Sequence, residues 1–142
     1  MSGLSVSILG SFRKHYTQIV STVQAFEANG INVKSPSISR IINPGDLYVR
    51  LSSDPQYYSD YKIQEVTLTK ILSSDFLYVV NPGGYVGRTT CYELGRAHER
   101  GIPTYYLEPI KDLPIKIGSE LIFQPPDLAH RMMVLHNMRR DS

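Results

Sequence analysis

The residues best suited to chemistry follow a short apolar run and lead into a predicted helix. The run at 76–80 continues as Asn81-Pro82-Gly83-Gly84-Tyr85-Val86-Gly87, and the helix after it carries one carboxylate, Glu93, in its first turn. Glycines in such a turn let a ligand approach the backbone and leave amides free to point at it. The carboxyl end of a buried strand, beside a helix N-terminus, is where α/β proteins place small-molecule sites.

Glu93 also has a structural interpretation. Thr90-Cys91-Tyr92-Glu93 fits a capping box, in which the glutamate side chain bonds back to the backbone amide of the residue that begins the helix. Such a box needs no glycine-rich turn before it, whereas Gly83, Gly84 and Gly87 fall within five residues here. Both interpretations, site residue and helix cap, therefore stay open.

A second strand-to-helix turn, Gly10-Ser11-Phe12-Arg13, follows the apolar run at 6–9. In a parallel sheet the carboxyl ends of neighbouring strands meet at one edge, so this turn is predicted to lie beside the first. A serine hydroxyl, a guanidinium and a helix N-terminus suit an anion or sugar hydroxyls. The alternative is a helix-capping serine next to a solvated arginine.

The elements that must position these turns alternate between strand and helix. Strands are predicted at 6–9, 31–34, 76–80 and 102–107, while 46–51 is either a strand or an extended part of a long loop. Helices are predicted at 14–29, 57–73, 90–101 and from 125 onward. This order predicts an α/β fold, Rossmann-like or flavodoxin-like, with a mostly parallel sheet and helices on both faces. The length predicts one domain spanning 1–142.

Composition and charge argue against several function classes. The net charge of +2 is too small to predict nucleic-acid binding. No apolar run reaches the roughly 20 residues of a membrane span, and no signal-peptide pattern begins the chain, so we expect a cytoplasmic protein. The histidines lack metal-ligand spacing, so we expect no metal, and nothing indicates a cofactor.

Three other features have mainly structural interpretations. Asp75 is expected to bond to nearby amides. Cys91 is the single cysteine, and we interpret it as a small buried residue, although a nearby helix N-terminus could lower the pKa of its thiol. The basic, Met-rich end of the chain, from His130 to Arg140, is interpreted as a core or dimer-facing helix with a solvated end.

The residues around Glu93 resemble those of the nucleoside 2-deoxyribosyltransferase family. The resemblance rests on 75–87, on Thr90, on Glu93-Leu94-Gly95-Arg96-Ala97 and on the opening turn at 10–13, and it covers roughly 6–107. The string from 92 to 97 is similar to the related deoxynucleoside 5′-monophosphate N-glycosidases. The family is expected to have a Rossmann-like domain that cleaves N-glycosidic bonds and to form homodimers or higher homo-oligomers.

The resemblance implies a role for each matching residue. The family's nucleophilic glutamate falls on Glu93, which would attack the anomeric carbon of a nucleoside or its 5′-monophosphate and form a glycosyl–enzyme ester. A helix N-terminus would keep that carboxylate ionised. The expected substrate-binding residues are Gly10, Ser11, Phe12, Arg13, Asn81, Gly84, Tyr85, Gly87, Arg88 and Thr90.

Two positions depart from the family pattern. Thr67 stands where family members commonly carry an aspartate that assists the departing base, and Glu65 is a poor substitute because it lies roughly 200° around the helix. Gly87 stands where the monophosphate glycosidases tend to have a phosphate-binding serine, for which Arg13, Arg88 and Thr89 are candidates to compensate. The alternative hypothesis is therefore a non-catalytic nucleotide-binding or sensing module with the same site. The third hypothesis is a scaffold protein in which the grouping of these residues at the sheet edge has no function.

Overall fold

The sheet is parallel throughout and has four strands. The computed structural model describes residues 3–37, 50–51 and 53–141. The strands are β1 (Ser5–Gly10), β2 (Asn32–Ser35), β3 (Phe76–Val80) and β4 (Thr104–Tyr106), in the spatial order β2-β1-β3-β4. The helices are α1 (Phe12–Ala28), α2 (Asp60–Leu72), α3 (Arg88–Glu99) and α4 (Pro125–Arg140). The predicted α/β fold of the Rossmann or flavodoxin type is confirmed.

Helices cover both faces of the sheet, as predicted. In β3, Phe76, Tyr78 and Val80 belong to the core cluster that includes Phe26 of α1 and Leu128 of α4. The alternate residues Leu77 and Val79 belong to a second cluster with side chains of α2 and α3. Because both faces of β3 are buried, the strand shows no polar alternation in its sequence.

The first and second helices begin where a serine caps them. Ser11 Oγ accepts a hydrogen bond from the N–H of Lys14 at 3.2 Å, so α1 starts earlier than predicted. Ser59 Oγ accepts one from the N–H of Lys62 at 3.1 Å, so α2 starts later than predicted. In both helices the cap decides the boundary, because it satisfies an amide that the first turn leaves unpaired.

Two strands begin later than predicted because their first predicted residues pair elsewhere. The N–H of Ile31 donates to Phe26 O at 3.1 Å, and the N–H of Ile102 donates to Ala97 O at 3.2 Å, so both residues complete the end of a helix. Pro103 has no N–H for a sheet ladder. The predicted extended segment at 46–51 lies mostly outside the described residues.

The minor structural predictions have mixed outcomes. Asp75 is structural, as expected: its carboxylate accepts hydrogen bonds from the N–H of Ser5 at 2.8 Å and from Ser5 Oγ at 3.1 Å. In α4, Leu128 is fully buried but Met138 is 62% exposed, so the start of this helix belongs to the core and its Met-rich end does not. Among the described helices, none is long and apolar enough to cross a membrane.

Candidate active site

A cavity of about 780 Å³ lies at the carboxyl ends of β1 and β2, beside the N-termini of α1 and α3. Its walls come from both predicted turns, from one side of α2 and from the segment between 51 and 58. Of the expected site residues, those that line it are Gly10, Ser11, Phe12, Arg13, Tyr85, Gly87, Arg88, Thr90 and Glu93. The topology thus brings together two turns that are more than seventy residues apart in sequence.

Glu93 lies in the second turn of α3, whereas the sequence analysis predicted the first turn. The helix begins at Arg88 with Gly87 as its N-cap, and the first turn contains no acidic residue. The capping-box interpretation is therefore wrong, because Thr90 lies inside the helix. Instead, the Glu93 carboxylate accepts a hydrogen bond from Nε2 of Gln64 on α2, with 3.0 Å between the nitrogen and Oε2.

Burial sets the protonation of Glu93. Its side chain is 7% exposed, and burial raises the pKa of the carboxyl to about 7, while the hydrogen bond from Gln64 lowers the pKa by a smaller amount. The expectation that the helix N-terminus keeps this group ionised is corrected here, since the desolvation of a carboxylate outweighs the helix dipole one turn away. A carboxyl with a pKa near 7 can exchange a proton, or act as a nucleophile, at neutral pH.

One side of α2 faces the cavity with three polar residues at a spacing of three. Gln64, Thr67 and Lys70 all line it. Glu65, by contrast, does not line the cavity, and its Oε2 lies 3.9 Å from Lys62 Nζ on the exposed side of the helix. Sequence analysis missed Gln64 and Lys70, although their spacing from Thr67 places all three on neighbouring turns.

The turn at 10–13 has a structural and a cavity-lining role at once. Ser11 caps α1, which was the alternative interpretation, and it also lines the cavity. A Cβ at Gly10 would lie 2.9 Å from Val80 O, so glycine is needed there for the close approach of β1 and β3. The glycine at 10 is thus explained by strand packing and needs no ligand.

The cavity wall next to α3 combines an aromatic ring with a helix N-terminus. Lys14 Nζ lies 4.0 Å from the centroid of the Tyr85 ring, and the ring of His15 approaches the same tyrosine edge-on at 6.1 Å. No side chain of the described residues caps α3, and Arg88 and Thr89 occupy its first turn. This corner can accept an anionic or hydroxyl-bearing group.

Two of the expected site residues, Asn81 and Gly84, do not line the cavity. Asn81 is fully buried; its Nδ2 donates to Glu108 O at 2.8 Å, and its Oδ1 accepts from the N–H of Glu108 at 3.1 Å. Gly84 has a φ of +80°, and a Cβ there would lie 2.7 Å from Pro109 O. Both residues hold the loop that follows β4 against the turn.

The amides of the glycine-rich turn are also occupied by the protein itself. The N–H of Gly83 donates to Glu108 Oε2 at 2.9 Å, and the N–H of Val86 donates to the Asp112 carboxylate at 3.2 Å. The predicted role of this turn, to present free amides to a ligand, is therefore not observed at these two positions. The carboxylates that accept these two hydrogen bonds belong to Glu108 and Asp112, which lie more than twenty positions later in the sequence.

Cys91 and the histidines add no second chemical centre. Burial, and to a smaller extent the charge of Asp112, raises the pKa of the Cys91 thiol, whose Sγ lies 3.7 Å from Val86 O. The possible lowering of that pKa is therefore wrong. Within 3–37, 50–51 and 53–141, no group of three or more histidine, cysteine or acidic residues could hold a metal ion.

Comparison of the chain with protein-family models, with curated proteins and with solved structures finds no match.

Proposed function

We propose that this protein cleaves or transfers the N-glycosidic bond of a nucleoside or its 5′-monophosphate, with Glu93 as the nucleophile. The single observation that carries the proposal is a carboxyl group that is 7% exposed, has a pKa of about 7 and lines a cavity of about 780 Å³. That volume is in the range of ligand-binding pockets. The resemblance of the residues around Glu93 to the deoxyribosyltransferase family supports the same reaction.

The reaction follows the logic of retaining glycosidases. A Glu93 oxygen forms a bond to the anomeric carbon while the bond from that carbon to the base nitrogen breaks, and the electron pair leaves with the base. The resulting glycosyl–enzyme ester is resolved by water or by a second base. Because Gln64 donates to Oε2, we assign the bond to carbon to Oε1.

The two helix N-termini support binding of the sugar and its 5′ side. Ser11 and Arg13 begin α1, and Arg88 and Thr89 begin α3, and all four line the cavity. Backbone amides at a helix N-terminus together with guanidinium groups suit a phosphate as well as sugar hydroxyls. We therefore include the 5′-monophosphate among the substrates.

A non-catalytic nucleotide-binding module is the second candidate function. The observation that favours it is that α2 presents Gln64, Thr67 and Lys70 to the cavity, and none of these is a carboxylic acid that could protonate a departing base. Under this hypothesis the protein binds nucleotides in the same cavity without releasing the base.

Release of the free base, measured by chromatography, tests the proposal. The purified protein is incubated with ribo- and deoxyribonucleosides and their 5′-monophosphates, beside Glu93→Gln and the matched control Glu99→Gln on the exposed end of the same helix. We expect release by the wild type and the control but not by Glu93→Gln. Binding without release, detected as a thermal shift that depends on Ser11, would favour the binding module instead.

We also propose that the chain forms a homodimer or a higher homo-oligomer. Tyr61 and Tyr92 are 87% and 53% exposed, and with Arg88 and Thr89 they line a shallow depression next to the cavity. Exposed aromatic residues are typical of protein interfaces. Light scattering of the wild type and of Tyr61→Ser tests this, since a monomeric wild type would contradict it.

A further inference from the structure

The cavity is lined by residues from both ends of α2. Gln64, near the start of α2, contacts Glu93 of α3 at 3.0 Å, and both residues line the cavity. Lys70, near the end of α2, also lines it. Outside the cavity, Lys34 Nζ bonds to Ser73 O at 3.0 Å, which holds the C-terminal end of α2 beside β2.

Lys70 lines the end of the cavity that is remote from Glu93, together with Ser35 and Pro36. It lies six residues after Gln64, which is about 9 Å along the axis of an α-helix. Glu93 and Lys70 line the same cavity, so a nucleobase attached to a sugar carbon at Glu93 lies in a space that Lys70 also borders.

The ammonium of Lys70 makes no hydrogen bond or ion pair with any of the described residues. The neighbouring Lys34, by contrast, is engaged by Ser73 through both its carbonyl and its Oγ. The cavity carboxylates are Glu93, which lies at the opposite end, and Asp54, whose Oδ2 accepts the N–H of Leu51 at 2.8 Å. An exposed cation that pairs with none of the described residues therefore borders the cavity.

We infer that Lys70 stabilises the departing base as an anion, and that the preferred substrates carry a carbonyl at the edge of the base remote from the sugar, as a 6-oxopurine or a 2,4-dioxopyrimidine does and cytosine, with an amino group there, does not. The inference rests on the proposed function. The carbon–nitrogen bond breaks, its electron pair stays on the base and spreads to a carbonyl oxygen, and that oxygen pairs with the Lys70 ammonium. No proton is transferred in this step, and the released base takes one from water afterwards.

This arrangement explains how the reaction proceeds with Thr67 on α2 in place of an acid. An acid next to the base would neutralise the leaving group by donating a proton, whereas an ammonium neutralises it by charge. A base that already carries a positive charge leaves as a neutral molecule and gains nothing from Lys70. If Lys70 acts on the leaving group, its substitution should slow the release of a neutral base but not that of a cationic base. If Lys70 is merely structural, its substitution should slow both equally.

The test compares kcat for release of uracil, hypoxanthine, cytosine and 7-methylguanine from otherwise identical nucleosides. The variants are Lys70→Met, which keeps the aliphatic stem, Lys70→Arg, which keeps the charge, and the control Lys62→Met on the exposed side of the same helix. For uracil and hypoxanthine we expect Lys70→Met to lower kcat by about fivefold or more, the effect of one charge contact made by an exposed lysine. Lys70→Arg should restore most of the rate.

The 7-methylguanine nucleoside is the internal control, and its rate should change little in Lys70→Met. Equal losses for all four bases, or wild-type release of cytosine as fast as uracil, would overturn the inference while leaving the proposed function intact. A larger loss in Asp54→Asn than in Lys70→Met would also overturn it, because the base would then leave protonated. No release of any base by the wild type would overturn the proposed function itself, and the inference with it.

Discussion

Nε2 of Gln64 lies 3.0 Å from Oε2 of Glu93, and this hydrogen bond joins α2 to α3 at the wall of the cavity. The amide donates to a carboxyl group that burial holds at a pKa of about 7. An amide donor favours the charged form of its partner, so Gln64 lowers a pKa that burial alone would raise further. Gln64 therefore controls both the orientation of Glu93 and the fraction of it that is ionised.

The pH dependence of base release follows from this pair. The nucleophile must be ionised, so kcat/KM of the wild type should fall as the pH drops below about 7. Gln64→Met removes the donor and should move this acidic limb to higher pH, with a lower rate at neutral pH. The profile is measured between pH 5 and pH 9, and the exposed Gln24→Met serves as the control. An unchanged limb in Gln64→Met would show that the hydrogen bond does not tune Glu93.

Glu93→Gln should stabilise the fold at alkaline pH. The folded-state pKa of about 7 lies above the ordinary value of 4.5, so the favourable protonated state is fully present below pH 4.5 and is lost as the pH rises through 7. Glutamine stays neutral and still offers an oxygen to Gln64. Denaturant unfolding at pH 8 should therefore give the variant an advantage of up to about 3 kcal/mol, from a pKa difference of about 2.5 units. At pH 4 the two proteins should differ little, and an advantage that is equal at both pH values would contradict the assignment to ionisation.

Some features of the fold can be read from the sequence because one local rule decides them. The apolar run of β3 is buried on both faces, and Ile19, Val23 and Phe26 of α1 are buried at helical spacing. The turn of α3 that contains Glu93 cannot be read from the sequence in this way, since it depends on the residue at which α3 begins. Gly87 caps that helix without a side-chain hydrogen bond, so no residue type marks the start.

Long-range contacts account for the rest of what sequence analysis missed. The turn residue Asn81 pairs with Glu108, twenty-seven positions later, and no local pattern predicts that partner. The contact between Gln64 and Glu93 joins two helices and depends on how α2 and α3 pack together. Their spacing shows that Gln64, Thr67 and Lys70 share a side of α2, but only the packing shows that this side faces the cavity.

Asn81 should matter for stability and not for substrate binding. Its side chain satisfies both the N–H and the carbonyl of Glu108 in a fully buried position. Asn81→Ala leaves both backbone groups unpaired and should lower the free energy of unfolding by roughly 1–3 kcal/mol. KM measured well below the melting temperature should stay unchanged. A raised KM in a variant of unaltered stability would return Asn81 to the substrate-binding residues.

Arg88 should distinguish nucleotides from nucleosides. It lines the cavity in the first turn of α3, where its guanidinium and the helix amides can both reach a phosphate. Arg88→Met keeps most of the aliphatic stem and should raise KM for a 5′-monophosphate by about tenfold, the effect of one charge-assisted hydrogen bond. KM for the matching nucleoside should change less than twofold, and Arg100→Met, at the exposed end of the same helix, should leave both values unchanged. Equal losses with nucleotide and nucleoside would instead assign Arg88 to the sugar or to the shape of the cavity.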